Sequence, residues 1–452
     1  MNVRKKLAVV VLGACCLIQA VFAASALAGV PGALDLSFGE RGVVPFARSE
    51  SPQPTVSAVG MAVGAENELL VLQRWVGCGP EGCSSKLLLQ RYLPNGQLDP
   101  GFAGGTVTIP LPAYNGAAVA TSPDGKAVIA TAFGDQVDIL RFNRDGTPDS
   151  SFGGDGAVIG NYVGAQNPQL AVTEGGEVVL AANSVDEASG RREVVLARFL
   201  SNGDPDPGFG AGTAESAGPG WLAIPTDVVA EGMGLSPNGQ IAVAGCCGEQ
   251  KHNFVFESRR RPEGALLDGL DATKPWKRVQ VGAIATVGSV LALPNGKVYV
   301  VGRANGTVFA AKLRADGRLE RRFGHHGIIR IKAMNDRFGA PKAAVDDRGR
   351  LVVAGAKQGK GGPAAGLLVA RRLAGGGRDR SFGNKSIVAL SSFGLGRLVD
   401  APVSIGLQST GRIVLFGQQQ ETCVRICPGP SSALVRLVGG SARRKHHRHH
   451  RR

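Results

Sequence analysis

Short apolar runs alternate with tight turns along this chain, and residues 157–199 show one full cycle. Ala157-Val158-Ile159 is a brief β run, and a loop follows it. Gln169-Leu170-Ala171-Val172 then meets the turn Glu174-Gly175-Gly176, and Glu177-Val178-Val179-Leu180-Ala181 runs back. After a variable loop, Glu193-Val194-Val195-Leu196-Ala197-Arg198-Phe199 leads to the turn Ser201-Asn202-Gly203. The cycle predicts four short strands. Its first turn recurs as SPDGK at 122–126, SPNGQ at 236–240, LPNGK at 293–297 and STGR at 409–412. Asp-Gly and Asn-Gly between apolar runs signal hairpins, because both residues tolerate positive φ.

A phrase marks where each cycle ends. It reads LDLSFG at 34–39, LDPGFA at 98–103, PDSSFG at 148–153, PDPGFG at 205–210, LERRFG at 319–324 and RDRSFG at 378–383, with a worn copy, LLDGLD, at 266–271. Its marker positions are Phe38, Phe102, Phe152, Phe209, Leu270, Phe323 and Phe382, spaced 50 to 64 residues apart. A period in this range means one supersecondary unit, repeated so that each copy buries its apolar face on the next. Seven units of four strands predict an all-β, seven-bladed β-propeller with about four antiparallel strands per blade. A right-handed β-solenoid is the alternative, but its coils are usually much shorter and need no antiparallel hairpin.

The phase of the repeat predicts how the ring closes. The longest connections, at 47–55, 160–168 and 217–226, follow the strand after SFG, so that strand is outermost in the preceding blade. The first such strand, Gly42 to Phe46, has no preceding blade and is expected to pair beside Ala433 to Leu437. Pairing there would protect an open edge.

The phrases LDLSFG, SPDGKAVIA at 122–130, DILRFNRDG at 138–146, VVLARF at 194–199 and GQIAVAG at 239–245 resemble the delta-60 repeat family, bacterial repeat proteins that are often exported. The resemblance covers roughly residues 34–438. Unit five departs from it, with Leu270 in place of the aromatic and WKRVQV at 276–281 in place of the usual Gly-rich segment. The resemblance implies a propeller-like repeat domain, no activity, and no catalytic residue to carry over.

Composition adds limits. The chain has 452 residues, 66 of them Gly, and only 5% aromatic residues, which suits a turn-rich all-β protein. Arg4, Lys5 and Lys6 precede an apolar stretch from Leu7 to Phe22, and Ala26-Leu27-Ala28 forms an A-x-A cleavage site. The expected division is a signal peptide at 1–28, a repeat propeller at 29–440 and a tail at 441–452. An uncleaved anchor, or a lipoprotein cleaved before Cys15, is the alternative, but the apolar run is shorter than the roughly 20 residues a span needs. The net charge of +15 falls to a mildly basic +6 once +3 in the signal and +6 in the last ten residues are set aside. The body therefore does not by itself imply nucleic acid.

Candidate chemistry is sparse. A cation lies five residues before the second turn glycine of the units: Arg91, Arg141, Arg198, Arg259, Lys312 and Arg371, with Arg436 preceding Ser441 in the last. An acid lies three before most markers: Asp35, Asp99, Asp149, Asp206, Glu320 and Asp379. A ring of cations could bind an anion, but repetition in every blade favours a structural Arg–Asp pair with the acid also capping turn amides. Cys78 with Cys83, and Cys423 with Cys427, are expected to staple their loops in an oxidising setting. Cys246 and Cys247 could form a vicinal disulfide or stay reduced. A metal site would require cysteines from separate blades to converge, and no CxxC pair exists.

The tail RRKHHRHHRR at 443–452 has no apolar residue and is expected to be disordered, with polyanions or a weakly held metal as conceivable partners. No GxSxG, HExxH or Walker A motif occurs. The reading is a secreted or cell-envelope binding or structural module, monomeric, without enzymatic activity or cofactor. Its ligand, a protein or polysaccharide, would meet the face carrying the variable loops, where Trp75 and Trp221 are candidate contacts. The alternative is a glycan lyase or hydrolase with a site over the central channel. That alternative would place two or more titratable groups of shifted pKa together at the channel mouth.

Overall fold

The computed structural model describes residues 29–46, 55–111, 114–226, 228–247, 254–267, 275–282, 285–334, 339–357, 366–393, 401–418 and 432–440. Cys423, Cys427, Leu270, the signal segment and the basic tail lie outside the described residues, as does the side chain of Cys247.

Seven antiparallel sheets follow one another around a ring. Blade one consists of Thr55–Val63, Leu69–Gly79, Gly82–Tyr92 and Thr106–Leu111. The first strands of the next five blades are Ala117–Thr121, Gln166–Val172, Val228–Leu235, Thr286–Ala292 and Lys342–Val345. Blade seven takes Ala401–Leu407, Ile413–Gln418 and Ser432–Leu437 from the end of the chain, and its outer strand, Val43–Pro45, from the beginning. Val43 pairs with Val435 and Val44 with Leu434, the register expected from the repeat phase. The first strands touch one another around the centre, so they line the channel.

The hydrophobic interior is divided into seven clusters, one at each blade boundary. This explains why the second strands read as unbroken apolar runs. Successive side chains point to opposite faces of a strand, and here both faces are covered by neighbouring blades. In blade two, Val128 and Ala130 pack towards blade three, while Ala127 and Ile129 pack towards blade one. The six marker Phe residues are 0–1% exposed, each in the cluster shared with the following blade. The boundary between blades four and five contains none, because the worn repeat has no aromatic there.

Each marker also ties two blades by hydrogen bonds. The amide after the Phe donates to a turn carbonyl of the next blade, as Gly153 does to Asn202 at 2.9 Å and Gly324 to Gly375 at 3.0 Å. Gly203 makes this approach possible: its φ is +92°, and a Cβ there would lie 2.8 Å from the Gly153 amide. The repeated arginine completes the clasp. Arg141 lies over Phe152, donates to Asp149 at 2.5 Å and reaches the Ser201 carbonyl of blade three at 2.6 Å. Arg91 donates to Asp99 at 2.6 Å, Arg198 to Asp206 at 2.6 Å and Arg371 to Asp379 at 2.7 Å. Burial opposes ionisation of Asp149, but hydrogen bonds from Ser151, Lys126 and Arg141 outweigh it and hold the carboxyl well below the usual range.

Blades four and five vary the scheme. Arg259 pairs with Glu257 on its own strand, since Leu267 stands where the acid would be. Glu320 pairs with Lys297 at 2.7 Å, leaving Lys312 to donate to the Ala374 carbonyl at 3.1 Å.

Candidate functional site

The first strands begin, and the second strands end, on the face that carries the blade-to-blade connections. Five of the first strands contain a β-bulge near this mouth. A bulge interrupts the hydrogen-bond ladder and re-aims a side chain. The amides of Ala58, Ala230 and Val287, each just before a bulge, are satisfied by side chains of the preceding blade. Gln418 accepts from Ala58 at 2.8 Å, Asn183 from Ala230 at 2.7 Å, and Glu231 from Val287 at 2.6 Å.

The sixth residue of each second strand explains the choice. Around the ring this position holds Arg74, Ala132, Asn183, Cys246, Arg303, Ala356 and Gln418, and its side chain faces the following blade. Asn183 and Gln418 offer an amide oxygen there. Cys246 is buried and offers only a weak acceptor. In that blade the bulge residue, Glu231, supplies the oxygen instead.

A carboxylate therefore sits where other blades use neutral amides, and two cations join it. Arg303, on blade five, donates to the Thr286 hydroxyl at 2.8 Å. Lys342 opens blade six and donates to the Gly288 carbonyl at 3.3 Å. Burial raises the Glu231 pKa to about 7, although the Val287 amide, Arg303 and Lys342 all favour its charged form. Burial lowers the pKa of Lys342, and Glu231 partly offsets this. Elsewhere on the mouth Arg74 lies over the Tyr114 ring, 4.5 Å from its centroid. Burial also pushes the Tyr114 hydroxyl pKa up. Sequence reasoning missed all five residues. Aligning the second strands by register would have exposed the variable sixth position.

The structure separates the residues singled out from sequence. Cys78 and Cys83 form a disulfide near the tip of the long hairpin of blade one. Trp75 is on a strand of that hairpin and not in a loop, with Lys86 4.5 Å over its ring. It borders a shallow cleft of about 700 Å³ that includes the disulfide. Trp221 also differs from the expected placement. It begins the outer strand Trp221–Pro225 of blade three, and its ring packs edge-on against Tyr162 at 5.6 Å. An insertion containing the extra strand Ser216–Gly218 displaces that outer strand along the sequence, which made it look like a connection. The Arg–Asp pairs are part of the clasps between blades and do not meet at the mouth. Among the described residues no helix is long and apolar enough to cross a membrane.

Comparison with solved structures finds distant likenesses. An α-L-arabinanase of Penicillium chrysogenum is 14% identical, with 70% of this chain and 94% of that one covered and a TM-score of 0.39. An ulvan lyase of polysaccharide lyase family PL25 is 10% identical, with 81% and 97% covered and a TM-score of 0.41. The α-L-arabinofuranosidase Arb93A of Fusarium graminearum is 10% identical, with 87% and 96% covered and a TM-score of 0.39. At such identities the likeness is one of fold. The expectation that the chain is not an enzyme is not retained: the solved structures found include an arabinanase, an ulvan lyase and an arabinofuranosidase. No curated protein matches the sequence. Residues 122–152 and 176–209 match the family described as "Domain of unknown function (DUF5122) beta-propeller", so two stretches of this seven-bladed ring are similar to a propeller-repeat family.

Proposed function

We propose that this is an exported repeat propeller that receives a polysaccharide at the mouth of its central channel, with Glu231 exchanging a proton with the bound sugar. The observation that carries the reading is the meeting of Glu231, Arg303 and Lys342, from three consecutive blades, where the first strands begin. A carboxyl that titrates near neutrality can act as general acid or base. Arg303 and Lys342 supply positive charge to hold an acidic or polar group of the ligand. The Cys78–Cys83 disulfide is compatible with a secreted protein, and the delta-60 resemblance supports export. Trp75, on the same face, offers an indole for sugar stacking.

The test is Glu231→Gln, which keeps the acceptor for the Val287 amide and removes the titration. Full-length protein and variant are incubated with a panel of extracellular polysaccharides, and binding and new chain ends are measured at pH 6. A fall of at least about tenfold, the equivalent of roughly 1.4 kcal/mol, with an unchanged fold supports the reading. Equal binding and cleavage by the variant overturns it and leaves Glu231 a structural acceptor.

A further inference from the structure

A second site lies on the opposite face, at the outer edge between blades four and five. Here Lys277, Arg278, Arg314, Arg318, Arg321 and Arg322 line an open groove of about 790 Å³. Such a volume falls within the range of about 300–1,000 Å³ usual for ligand sites. Among the described residues Glu320 is the one acid lining it, and Lys297 already neutralises that carboxylate at 2.7 Å. Arg314 is paired with Asp316 at 2.7 Å. Arg318, Arg321 and Arg322 are exposed and form no ion pair among the described residues. Six cations thus gather around two acids, Asp316 and Glu320, and the excess of like charge leaves the groove positive.

The groove lies at the boundary whose marker phrase departs from the repeat in sequence. At six boundaries the amide after the marker Phe donates to the neighbouring turn. At this one the turn carbonyl of Asp316 accepts from the side chain of Lys277 at 2.7 Å. That carbonyl stands where the other boundaries receive the marker amide, and the WKRVQV segment that departs from the repeat supplies the lysine. The same groove draws Arg321 and Arg322 from LERRFG, where each other marker phrase carries at most one charge at these two positions.

We infer that this groove binds an anionic polysaccharide. Cations at several points along an open cleft fit a linear chain bearing repeated carboxylates or sulfates, and charge steering would speed its capture. Arginines present paired donors to such groups. Among the described residues no Phe, Tyr or Trp lines it, so they offer none of the stacking platform on which single-stranded nucleic acids rest. The site is separate from the channel mouth and stands whether or not Glu231 acts there.

The experiment uses full-length protein, fluorescent polygalacturonate (carboxylate), dextran sulfate (sulfate) and a single-stranded oligodeoxynucleotide. One variant carries Arg318→Gln, Arg321→Gln and Arg322→Gln. A charge-matched control carries Arg378→Gln, Arg380→Gln and Lys385→Gln on the exposed edge of blade six. Both retain the basic tail, so its contribution is common to them. The groove variant is expected to lose about tenfold or more in affinity for one or both acidic glycans, with a weaker salt dependence, while the control stays within about twofold. The preferred glycan distinguishes carboxylate from sulfate. Equal losses in the two variants, no loss in either, or tighter groove-dependent binding of the oligonucleotide overturns the inference. Arg321→Gln with Arg322→Gln serves as a milder second variant if the triple change alters the melting temperature.

Discussion

The guanidinium of Arg141 stacks on the ring of Phe152, with Cζ 4.4 Å from the ring centroid. The same stacking recurs for Arg91 on Phe102, Arg198 on Phe209, Arg371 on Phe382 and Arg436 on Phe38. The arginine covers one face of the marker ring while its remaining donors fasten the next blade. Phe152→Ala removes the ring from a boundary where it is fully buried. The expected cost is about 3–5 kcal/mol, as lost transfer energy plus a cavity, read as a lower denaturation midpoint. Arg141→Lys keeps the charge but cannot serve Asp149, Ser151 and Ser201 together, and is expected to cost about 1–3 kcal/mol. An unchanged midpoint in either variant would count against the clasp.

Redox chemistry gives a second check. Alkylation of the oxidised native protein without reductant is expected to leave Cys78 and Cys83 unlabelled. The bridge spans a sequence separation of 5, so the chain-entropy relation predicts a loss of about 2 kcal/mol in Cys78→Ser with Cys83→Ser. Full labelling of both thiols by mass spectrometry would remove the staple.

The pH dependence of stability tests Glu231. Its native pKa of about 7 lies above the ordinary 4.5, so between those values the native state holds a proton that the unfolded chain has released. The contribution is fully present below about pH 4.5 and is lost as pH rises through about 7, on the order of 3 kcal/mol at most. Glu231→Gln is expected to flatten that part of the profile in urea titrations. Asp149, Asp379 and Asp35 act in the opposite sense, since their native pKa values are lowered. Their contribution is present above about pH 4 and is lost on further acidification. A wild-type slope retained in Glu231→Gln would assign the neutral-range titration to another group.

Ring closure predicts what truncation does. Removing residues 29–46 exposes the edge of Ser432–Leu437, whose residues are all buried in the intact ring. An open apolar edge invites pairing with another chain. Size-exclusion chromatography is expected to show larger species and a lower melting temperature. A monomeric, equally stable truncation would mean that the Val43–Val435 pairing contributes little.

The architecture was legible because it is written seven times. A marker Phe, an Arg and a turn glycine recur in phase, and phase alone placed Val44 beside Leu434. The pairing of Cys78 with Cys83 followed from proximity in sequence. The channel-mouth cluster was not legible, because it arises from departures within the repeat. Glu231 matters because it occupies a bulge, and a bulge is a property of two strands in register. Its partners Arg303 and Lys342 belong to other units, and no linear motif joins them. Trp221 was misplaced for a related reason: the insertion before it shifted the outer strand away from its marker. The cationic groove was half visible, as the blade that failed to match its fellows.

The latch between the two ends of the sequence also imposes an order of events. Blades one to six draw their strands from continuous stretches and can assemble from neighbouring hairpins as the chain lengthens. Blade seven cannot, since its outer strand precedes blade one in the sequence and its third strand follows blade six. The entropy of bringing such distant segments together must be met before their contacts contribute. The segment around Val43 therefore waits, unpaired, while the rest of the polypeptide is made. A nascent chain halted anywhere before residue 432 has no partner for it, and only a chain that includes Ser432–Leu437 can shut. The ring thus shuts only when both halves of the latch are present, and a copy lacking one keeps an exposed edge.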